Sequence, residues 1–563
     1  MKLRTRFGRV EDTSPYPAPE EVYNWRIWAM MLSASMAAGM FGYDGAFIGS
    51  TLKLPAFKAA FGLNDERGAK VLAGLSSHIV STFQAGCFVG TLTTYPLVER
   101  IGIRKCLFLA SLIFNLGVVL QMAGKGSLAM IYAGRALTGV GVGNSYYVGP
   151  AYVSMNSPPA VRGRMVGLLE TVYQAFGVVG FWICYGTNRN ISPLSDAQWR
   201  IPVGLQFIPG VLLAVLMATQ PEAPRWSIAN GKREQGIRDL CYLRNLTPDH
   251  PYIAFEIQQI DEQLASERAG AGSSKFTDKL REAFGKRNRS RLAIGLAMML
   301  FQNLSGINAL NYYSATLIGN IGFKGTDVSL LATGVYGLEK ALITLIFMTF
   351  FVDSVGRRKA LILGSIGAAT GMLYLGIYTN VADTFNSTPP RDAGAIFGLV
   401  AFYWYTLHYA YSWNGIPFMF CAEVFGNNIR MLCMTMTTCM QWIAQFMIVY
   451  SLPYMVVSIK SYTFIFFGVC TLAACAFTYL FVPETKGVVL EDMDVLFNAR
   501  GLAPHQMKAF HQIMSTRAHD TVVAQGVTTV TNNEARHLHS DDTSGGDKSK
   551  HDGGEVRYDT SSP

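Results

Sequence analysis

Polar side chains interrupt a long apolar stretch of this sequence between Phe301 and Thr316, which reads FQNLSGINALNYYSAT. On a helix that turns about 100° per residue, five of them fall within one arc about 120° wide. They are Gln302, Ser305, Asn308, Tyr312 and Thr316. Unsatisfied amides and hydroxyls are costly in hydrocarbon, so the arc is expected to face protein or a wet cavity. Asn303 lies off the arc, and only a helix break at Gly306 would bring it into the same cavity.

The chemistry of this arc favours a polyhydroxylated ligand, because a neutral amide both donates and accepts hydrogen bonds. The alternative is that these side chains only hold helices together in the membrane. The number of polar groups on one face favours a solute-binding site.

Two ionisable residues lie in other apolar stretches, Asp44 in the first and Arg135 in the fourth. Counted at about 1.5 Å per residue from opposite membrane faces, both are predicted to lie in the outer half of the membrane and to meet. Contact with Arg135 favours the ionised Asp44 carboxylate, and separation in hydrocarbon favours its protonation. The pair is therefore either a proton switch for symport or a static buried ion pair.

A further charge, Lys340, is predicted near midmembrane, about 20 Å along its helix from the outer end. If the ligand carries a carboxylate, Lys340 is the natural cationic partner. Amides would then hold the ring hydroxyls, namely those of Gln174, Gln302, Asn308 and Gln441. The alternative is that Lys340 pairs with Glu170 or Glu339 and only holds helices together.

Membrane-spanning helices must position these side chains. Half of the 563 residues are hydrophobic, 15% are charged and the mean hydropathy is +0.24, values typical of polytopic membrane proteins. The sequence predicts an all-α protein with twelve transmembrane helices in two six-helix halves. The first six spans are predicted to start near Ile27, Val71, Leu107, Leu128, Met165 and Ile201, and the second six near Leu292, Val328, Leu361, Ile396, Leu432 and Tyr462.

The predicted organisation has five parts. A cytosolic N-terminal tail (1–25), without the apolar region or cleavage site of a signal peptide, precedes the first half (26–220). A charged cytosolic linker with short helices (221–291) joins it to the second half (292–483). The last part is a cytosolic tail (484–563), expected to be disordered after about 500. Because Lys and Arg concentrate in short loops and the linker, the net charge of +9 indicates membrane orientation, with both termini inside the cell, and not nucleic-acid binding.

Other chemistries find little support in the sequence. The nine cysteines have no metal or redox spacing, so no metal site is predicted. No GxxxxGK[ST] motif appears, which argues against an ATP-driven pump. No acid/base pair or nucleophile triad indicates an enzyme. Asn190 and Asn386 are candidate glycosylation sites on the outer face.

The two halves repeat the same motifs on the side predicted to be cytosolic. ERIGIRK (99–105) and DSVGRRK (353–359) follow the second span of each half, and PEAPRW (221–226) and PETKG (483–487) follow the sixth. Such duplication is typical of a transporter whose halves rock around a midplane site. Arginines and carboxylates here predict a latch of bidentate bonds that opens with the inner face. Its members are Glu99, Arg100, Arg162, Glu222, Asp353, Arg357, Arg358, Glu423, Arg430 and Glu484.

These repeats, together with QNLSGIN (302–308), resemble the sugar porter family of the major facilitator superfamily over roughly Trp25 to Phe497. Three segments are similar to its fungal quinate permease branch, close to which lie galacturonate transporters: ETVYQAFGVVGFWICYG (170–186), QWRIPVGLQFIP (198–209) and YSWNGIPF (411–418). The family consists of carriers of monosaccharides and related polyols, many of them coupled to protons. The resemblance therefore implies a major facilitator fold, no cofactor and a proton as coupling ion.

The resemblance also implies roles for individual residues. Sugar-contacting positions would be Gln302, Asn303, Asn308 and Tyr312, with the polar-aromatic pair Gln441 and Trp442 and the aromatic Phe41. Asp44 and Arg135 match the acidic residue and arginine of proton-coupled members.

This sequence departs from the family pattern at three places. Ile103 stands where the family usually has Arg, and Met155 where it usually has Glu, so the first-half latch should be weaker than the second, which keeps Glu423. Phe418 replaces the family's usual Trp in span ten, and Trp413 is the candidate replacement for its sugar-stacking role.

The function expected from this sequence is proton-coupled import of quinate or a related sugar acid across the plasma membrane by alternating access. A neutral hexose or pentose carrier of the same fold is the first alternative, and a non-transporting nutrient sensor is the second. The expected partners are a small-molecule substrate and the lipid bilayer, with no nucleic acid and no obligate protein partner.

Overall fold

The computed structural model describes residues 18–63, 68–270, 276–286, 288–321, 325–385, 393–486, 488, 493–498, 501–510 and 512–514. These ranges are helical apart from turns and short connections, and contain no β-strand. The all-α prediction is confirmed. The predictions for Asn386, for the side chain of Asp353 and for most of the two tails concern residues outside these ranges.

Twelve spans can be followed in the described residues up to Asn498, which belong to one compact unit. The first six are α1 (Trp25–Thr51), α3 (Ala69–Ile101), α4 (Ile103–Ala123), α5 (Leu128–Asn156), α6 (Pro159–Asn190) and the pair α7 (Ala197–Gly204) and α8 (Phe207–Thr219), with a short α2 (Pro55–Phe61) after α1. Each span begins within six residues of its predicted start.

The remaining helices form the linker and the second six spans. The linker contains α9 (Pro224–Ala229), α10 (Arg233–Arg244), α11 (Pro251–Gly270) and α12 (Phe276–Ala283). Three of the second six spans consist of more than one helix: α13 (Arg289–Leu304) with α14 (Ile307–Ile321), α15 (Thr326–Ile346) with a π-helical turn (Phe347–Phe351) and α16 (Val352–Val355), and α18 (Ala393–Tyr411) with α19 (Ile416–Val424). The other three are the single helices α17 (Arg357–Val381), α20 (Asn427–Ser458) and α21 (Tyr462–Phe481). A short helix α22 (Met493–Asn498) follows them. In the second compact unit, 499–563, the described residues include a helical segment over 503–510.

Nine of the spans in the described ranges are long and apolar enough to cross a membrane by length and composition alone. The other three are α1, α5 and α18 with α19. Most of α1 is buried inside the bundle, including Asp44 and several serines, and α5 contains Arg135 and many glycines. In α1 and α5 the buried polar and small residues lower the hydropathy of the helix without exposing polar groups to hydrocarbon.

Helix packing within the first half depends on glycines in α5. A Cβ atom added at Gly139 would lie 2.1 Å from the carbonyl oxygen of Phe83, and one at Gly143 would lie 2.1 Å from that of Cys87. The backbones of α3 and α5 are therefore in direct contact, as small residues permit in membranes. The two halves meet where α1 packs on α14, α3 on α20 and α6 on α15.

Candidate functional site

The polar stretch of the seventh span lies on a broken helix. The α-helix α13 ends at Leu304 and α14 begins at Ile307, and Gly306 between them has φ +95°, a conformation strained for residues other than glycine. The amide of Asn308 donates to Oδ1 of Asn303 at 2.5 Å. The break therefore brings Asn303 beside Asn308. Such a break at Gly306 was the requirement for Asn303 to share a cavity with the polar arc.

Gln302 joins this break to a second break in span ten. Its Nε2 donates to the carbonyl oxygens of Trp413 at 2.9 Å and Asn414 at 3.1 Å, in the turn between α18 and α19. Its Oε1 is buried and accepts no hydrogen bond from a described residue. A buried acceptor without a partner is unusual in folded proteins, so this oxygen is available to a ligand hydroxyl.

Tyr312 contacts both halves of the molecule. Its hydroxyl accepts from Nε2 of Gln445 on α20 at 3.1 Å. When the Gln84 amide is oriented so that its nitrogen donates to Val80, its oxygen accepts from Tyr312 at 3.0 Å. A Cβ atom added at Gly49 on α1 would lie 2.0 Å from the Tyr312 carbonyl oxygen. In this conformation Tyr312 closes the interface between α1, α3, α14 and α20.

An aromatic cluster lies between the halves. The Trp442 ring is 5.2 Å from Phe41 and 6.0 Å from Tyr146, and Phe418 is 5.8 Å from Tyr146, measured between centroids. Within the described chain, Nε1 of Trp442 and Oε1 of neighbouring Gln441 are buried without hydrogen-bond partners. This cluster therefore offers an apolar ring face next to a free donor and a free acceptor, which suits a polyol.

Trp413 lies in the packing between spans nine and ten. It is fully buried, and its indole N–H donates to Oγ of Ser365 on α17 at 2.8 Å. This position does not support Trp413 as the substitute for the family's stacking residue. Phe418 itself belongs to the aromatic cluster, so Trp442 supplies the indole at this site.

Lys340 is held by neutral groups. Its Nζ donates to Oδ1 of Asn311 at 3.0 Å, and the same oxygen accepts from the hydroxyl of Tyr336 at 2.6 Å. The ammonium lies 5.8 Å from the ring centroid of Tyr173 and 5.7 Å from that of Tyr336, within range of a cation–π interaction. No carboxylate lies within 4 Å of it among the described residues, so a direct ion pair with Glu170 or Glu339 is not observed.

A narrow cleft of about 10 Å³, room for about one water molecule, lies beside Lys340. It is far smaller than the roughly 300–1,000 Å³ typical of ligand sites, so a ligand would require it to widen. Gln174, Tyr173, Phe181 and Asn311 line it together with Lys340. The sequence singled out Lys340 and Gln174 but missed Asn311, although Asn311 stands one helical turn after Asn308 and could have been recognised by that spacing.

Asp44 and Arg135 form the predicted contact. Nη1 of Arg135 lies 2.6 Å from Oδ1 of Asp44, and both side chains are fully buried. Nε of Arg135 donates to the carbonyl of Ile79, and its guanidinium lies 4.6 Å from the ring centroid of Phe83. Oδ2 of Asp44 and Nη2 of Arg135 have no hydrogen-bond partner among the described residues. The pair is therefore joined by one bond, which leaves a carboxylate oxygen open to a proton.

The second half has several of the contacts predicted for the latch at its linker side, the side on which α9–α12 lie. Nη2 of Arg357 lies 2.9 Å from Oε1 of Glu423, whose other oxygen accepts from Thr485 at 2.7 Å. The carboxylate of Glu484 accepts from the backbone N–H of Arg357 at 2.8 Å and of Arg358 at 3.1 Å. Glu484 therefore caps the N-terminus of α17, where the helix dipole favours negative charge.

The first half has the same cap but a different second contact. Glu222 accepts from the backbone N–H of Ile103 and Arg104, both at 3.0 Å. In the linker, Arg244 pairs with Glu256 at 3.0 Å and donates to the carbonyl of Asn156 at 2.7 Å.

Other predicted latch residues have different partners. Glu99 lies 3.7 Å from Lys279 of α12, which donates to Tyr95 at 3.0 Å. Arg430 donates to the carbonyl of Phe425 at 3.1 Å. Arg100, Arg162 and Arg430 form no ion pair within 4 Å with a side chain in the described ranges. The linker therefore contributes contacts that the repeated motifs did not predict.

Comparisons with known proteins extend over most of the chain. A family model described as sugar (and other) transporter matches residues 30–497. A probable quinate permease of Aspergillus niger is 39% identical over 506 residues, 89% of this chain and 93% of the relative. A quinate permease of Neurospora terricola is 40% identical over 493 residues, 86% and 91% of the two chains.

Solved structures of a bacterial carrier share the fold. The major facilitator superfamily proton:xylose symporter XylE bound to 6-bromo-6-deoxy-D-glucose has a TM-score of 0.69 at 25% identity, covering 84% of this chain and 99% of XylE. A partially occluded inward-open structure of XylE from E. coli has a TM-score of 0.68 at 24% identity, covering 82% and 99%. The predicted major facilitator fold is confirmed.

Proposed function

Because this chain belongs to the sugar transporter family of the major facilitator superfamily, we propose that it is a symporter importing quinate or a related sugar acid together with protons. Its relatives are permeases and symporters, so the protein is a multi-pass membrane transporter. We further propose that it works in the plasma membrane with both termini in the cytosol, with no cofactor, no metal, no nucleic acid and no obligate protein partner. The proton is then the coupling ion.

The position of Lys340 carries the proposal of an acidic substrate. Its ammonium lies deep in the bundle, beside a cleft, and its hydrogen-bond acceptor is the neutral amide of Asn311. A buried charge without a counter-ion at bonding distance is costly, and a ligand carboxylate would offset that cost. The relatives named quinate permeases support the same substrate class. Free amide oxygens of Gln302 and Gln441 are suited to the ring hydroxyls.

The single bond between Asp44 and Arg135 supports proton coupling. Asp44 lies on α1 and Arg135 on α5. Both helices belong to the first half, so the coupling requires α1 to shift against α5 within that half during the transport cycle. The carboxylate then loses its cation in hydrocarbon and binds a proton to become neutral. When the helices return, Arg135 displaces the proton.

A competition panel tests the substrate. Quinate, shikimate, galacturonate and glucose would compete for labelled quinate uptake in a host without its own transporters, and in vesicles with and without a pH gradient. We expect the acids to compete and glucose to fail. Uptake of labelled glucose with no uptake of labelled quinate would favour the neutral-sugar carrier, whose ligand hydroxyls the same free amide oxygens could hold.

Substitution of Lys340 by Met tests the role of the ammonium. We expect Lys340→Met to lower uptake of the acid at least about tenfold, because the variant loses one charge-assisted hydrogen bond, worth roughly 1.5–3 kcal/mol. A neutral sugar, where it is transported, should be affected far less. Equal loss for both substrates would mean that Lys340 only supports the structure.

Substitution of Asp44 by Asn tests the coupling. Asp44→Asn removes the titrating group but keeps the size of the side chain, so we expect uphill accumulation to be lost while counterflow exchange continues. Accumulation at the wild-type level would contradict the coupling role.

A further inference from the structure

Glu170 is a carboxylate inside the bundle that the coupling by Asp44 does not use. It lies eleven residues into α6, about 16 Å from the helix start and so near midmembrane. Its Oε1 accepts from Nε2 of Gln174 at 2.9 Å and from Nδ2 of Asn414 at 3.1 Å. Both donors are neutral amides. Oε2 accepts no hydrogen bond from a described residue, so one oxygen of this carboxylate remains open.

The contact with Asn414 connects the two halves. Asn414 lies in the turn between α18 and α19, and its amide nitrogen also lies 3.1 Å from Oγ1 of Thr344 on α15. Its carbonyl accepts from Gln302 beside the break in span seven. Glu170, on the first half, is therefore bonded to the part of the second half that holds the candidate ligand groups.

The charges of Glu170 and the ionisable groups around it sum to zero only when no acidic ligand is bound. The ionisable groups acting on it are Lys340 from α15, Tyr146 from α5, Tyr409 from α18 and Tyr173 on its own helix. The phenols are neutral at physiological pH. When both are ionised, Lys340 and Glu170 carry opposite charges that act on each other without a direct ion pair. Their charges then sum to zero.

An acid anion bound at Lys340 would give the region around Lys340 and Glu170 a net negative charge. Two carboxylates would then share one ammonium near midmembrane, and such an arrangement strongly favours protonation of one of them. A hydroxyl next to the carboxyl group makes a sugar acid or quinic acid a stronger acid than a glutamic acid side chain, and Lys340 bonds the ligand. Glu170 is therefore the carboxylate that becomes neutral.

We propose that Glu170 binds a proton each time an acidic substrate binds beside Lys340 and releases it when the substrate leaves. This inference rests on the proposed function, since it requires a substrate with a carboxylate. The proton comes from water on the open side and adds to a Glu170 oxygen, converting the carboxylate to a neutral carboxyl group. The anion and this proton together carry no net charge across the membrane.

Substrate chemistry therefore sets the proton count. With Asp44 contributing one proton per cycle, an acid is carried with about two protons and a neutral sugar with about one, while the net charge moved is about one in both cases. In Glu170→Gln the acid is carried with about one proton, so its transport becomes electroneutral.

Proton uptake on binding tests the proposal directly. Purified full-length protein with Asp44→Asn, in which the response of Asp44 is removed, is mixed with quinate in weakly buffered solution containing a pH indicator. Bound quinate is measured in parallel by isothermal titration. We expect uptake approaching one proton per bound quinate at a pH where free Glu170 is ionised, and none when Glu170→Gln is added. Glucose should cause no uptake in either protein.

Glu339→Gln is the matched control. Glu339 is the neighbour of Lys340 in sequence, and it too has a carboxylate oxygen, Oε2, buried without a hydrogen-bond partner in the described ranges. Its removal should leave the proton uptake unchanged. Loss of uptake in Glu339→Gln but not in Glu170→Gln would overturn the assignment to Glu170.

The possible failures can be told apart. If quinate, shikimate and galacturonate all fail to bind the wild-type protein, the proposed substrate class is wrong and this inference with it. If quinate binds but uptake is equal with and without Glu170, only this inference is wrong. Should Glu170→Gln fail to fold, equal uptake with quinate and with glucose in Asp44→Asn alone would overturn the proposal.

Discussion

The two halves of this transporter close their linker sides with one shared contact and one that differs. The shared contact is a carboxylate cap on the third span of each half, Glu222 on the N–H groups of α4 and Glu484 on those of α17. In the second half the ion pair of Arg357 and Glu423 adds to this cap. The corresponding residues of the first half are Ile103 and Met155, which cannot form an ion pair.

This difference indicates that the cap is the conserved element of the repeat and the ion pair the replaceable one. The N–H groups at a helix start need an acceptor in either half. A salt bridge can instead be exchanged for apolar residues at both positions with little loss, provided both change together. The first half has both changes, and its second contact comes from the linker, where Arg244 bonds Glu256 and the Asn156 carbonyl at the end of α5.

The largest expected effect is at the linker pair. Arg244→Ala leaves Glu256 without its cation, and both side chains are nearly buried, so we expect a loss of about 3–5 kcal/mol in stability. The melting temperature in detergent should fall clearly, more than in Arg233→Ala, which removes the exposed pair with Asp261. Equal melting temperatures for the two variants would mean that the first half does not depend on the linker.

A smaller effect is expected when the second half is converted to the pattern of the first. Arg357→Ile alone leaves Glu423 with Thr485 as its one hydrogen-bond partner among the described residues. Because the pair is partly exposed, this should cost about 1–3 kcal/mol. Arg357→Ile together with Glu423→Met should restore most of that loss. Additive losses in the double variant, measured as melting temperatures, would show that the ion pair itself is required.

The sequence predicted what depends on local pattern. Twelve apolar runs determined the spans, and the rise per residue placed Asp44 and Arg135 at one depth, where the structure joins them. On a regular helix Asn303 was expected to point away, and a break at Gly306 was only the condition for it to join Asn308. The structure has that break, in a backbone conformation that only glycine adopts without strain.

The sequence could not predict which groups meet across helices. Asn311 bonds Lys340, and Asn414 bonds Glu170, only because α15 and the turn before α19 pack against particular neighbours. Helical periodicity gives the face of a residue but not the helix opposite to it. The pairing of Arg244 with Glu256 was missed for the same reason, since these residues lie on two separate linker helices, α10 and α11.

The smallest expected effect concerns Lys279 of α12. This helix packs on α20 of the second half, while Lys279 contacts Glu99 and Tyr95 of the first half. Partial burial lowers the pKa of its ammonium, but the bonds to Tyr95 and Glu99 outweigh this and raise the pKa overall. A raised pKa means that the contact is present at neutral pH and is lost only as pH rises through that value. Lys279→Met should therefore lower stability by less than about 1 kcal/mol, roughly the value of an exposed pair, and by the same amount at pH 6 and pH 8.

Because the contact of Lys279 crosses between the halves, the same variant should speed exchange by counterflow. Lys286→Met, which removes a charge from the same segment, should not. Unchanged exchange in both variants would place the restraint between the halves in the α1, α3 and α6 interfaces instead of the linker.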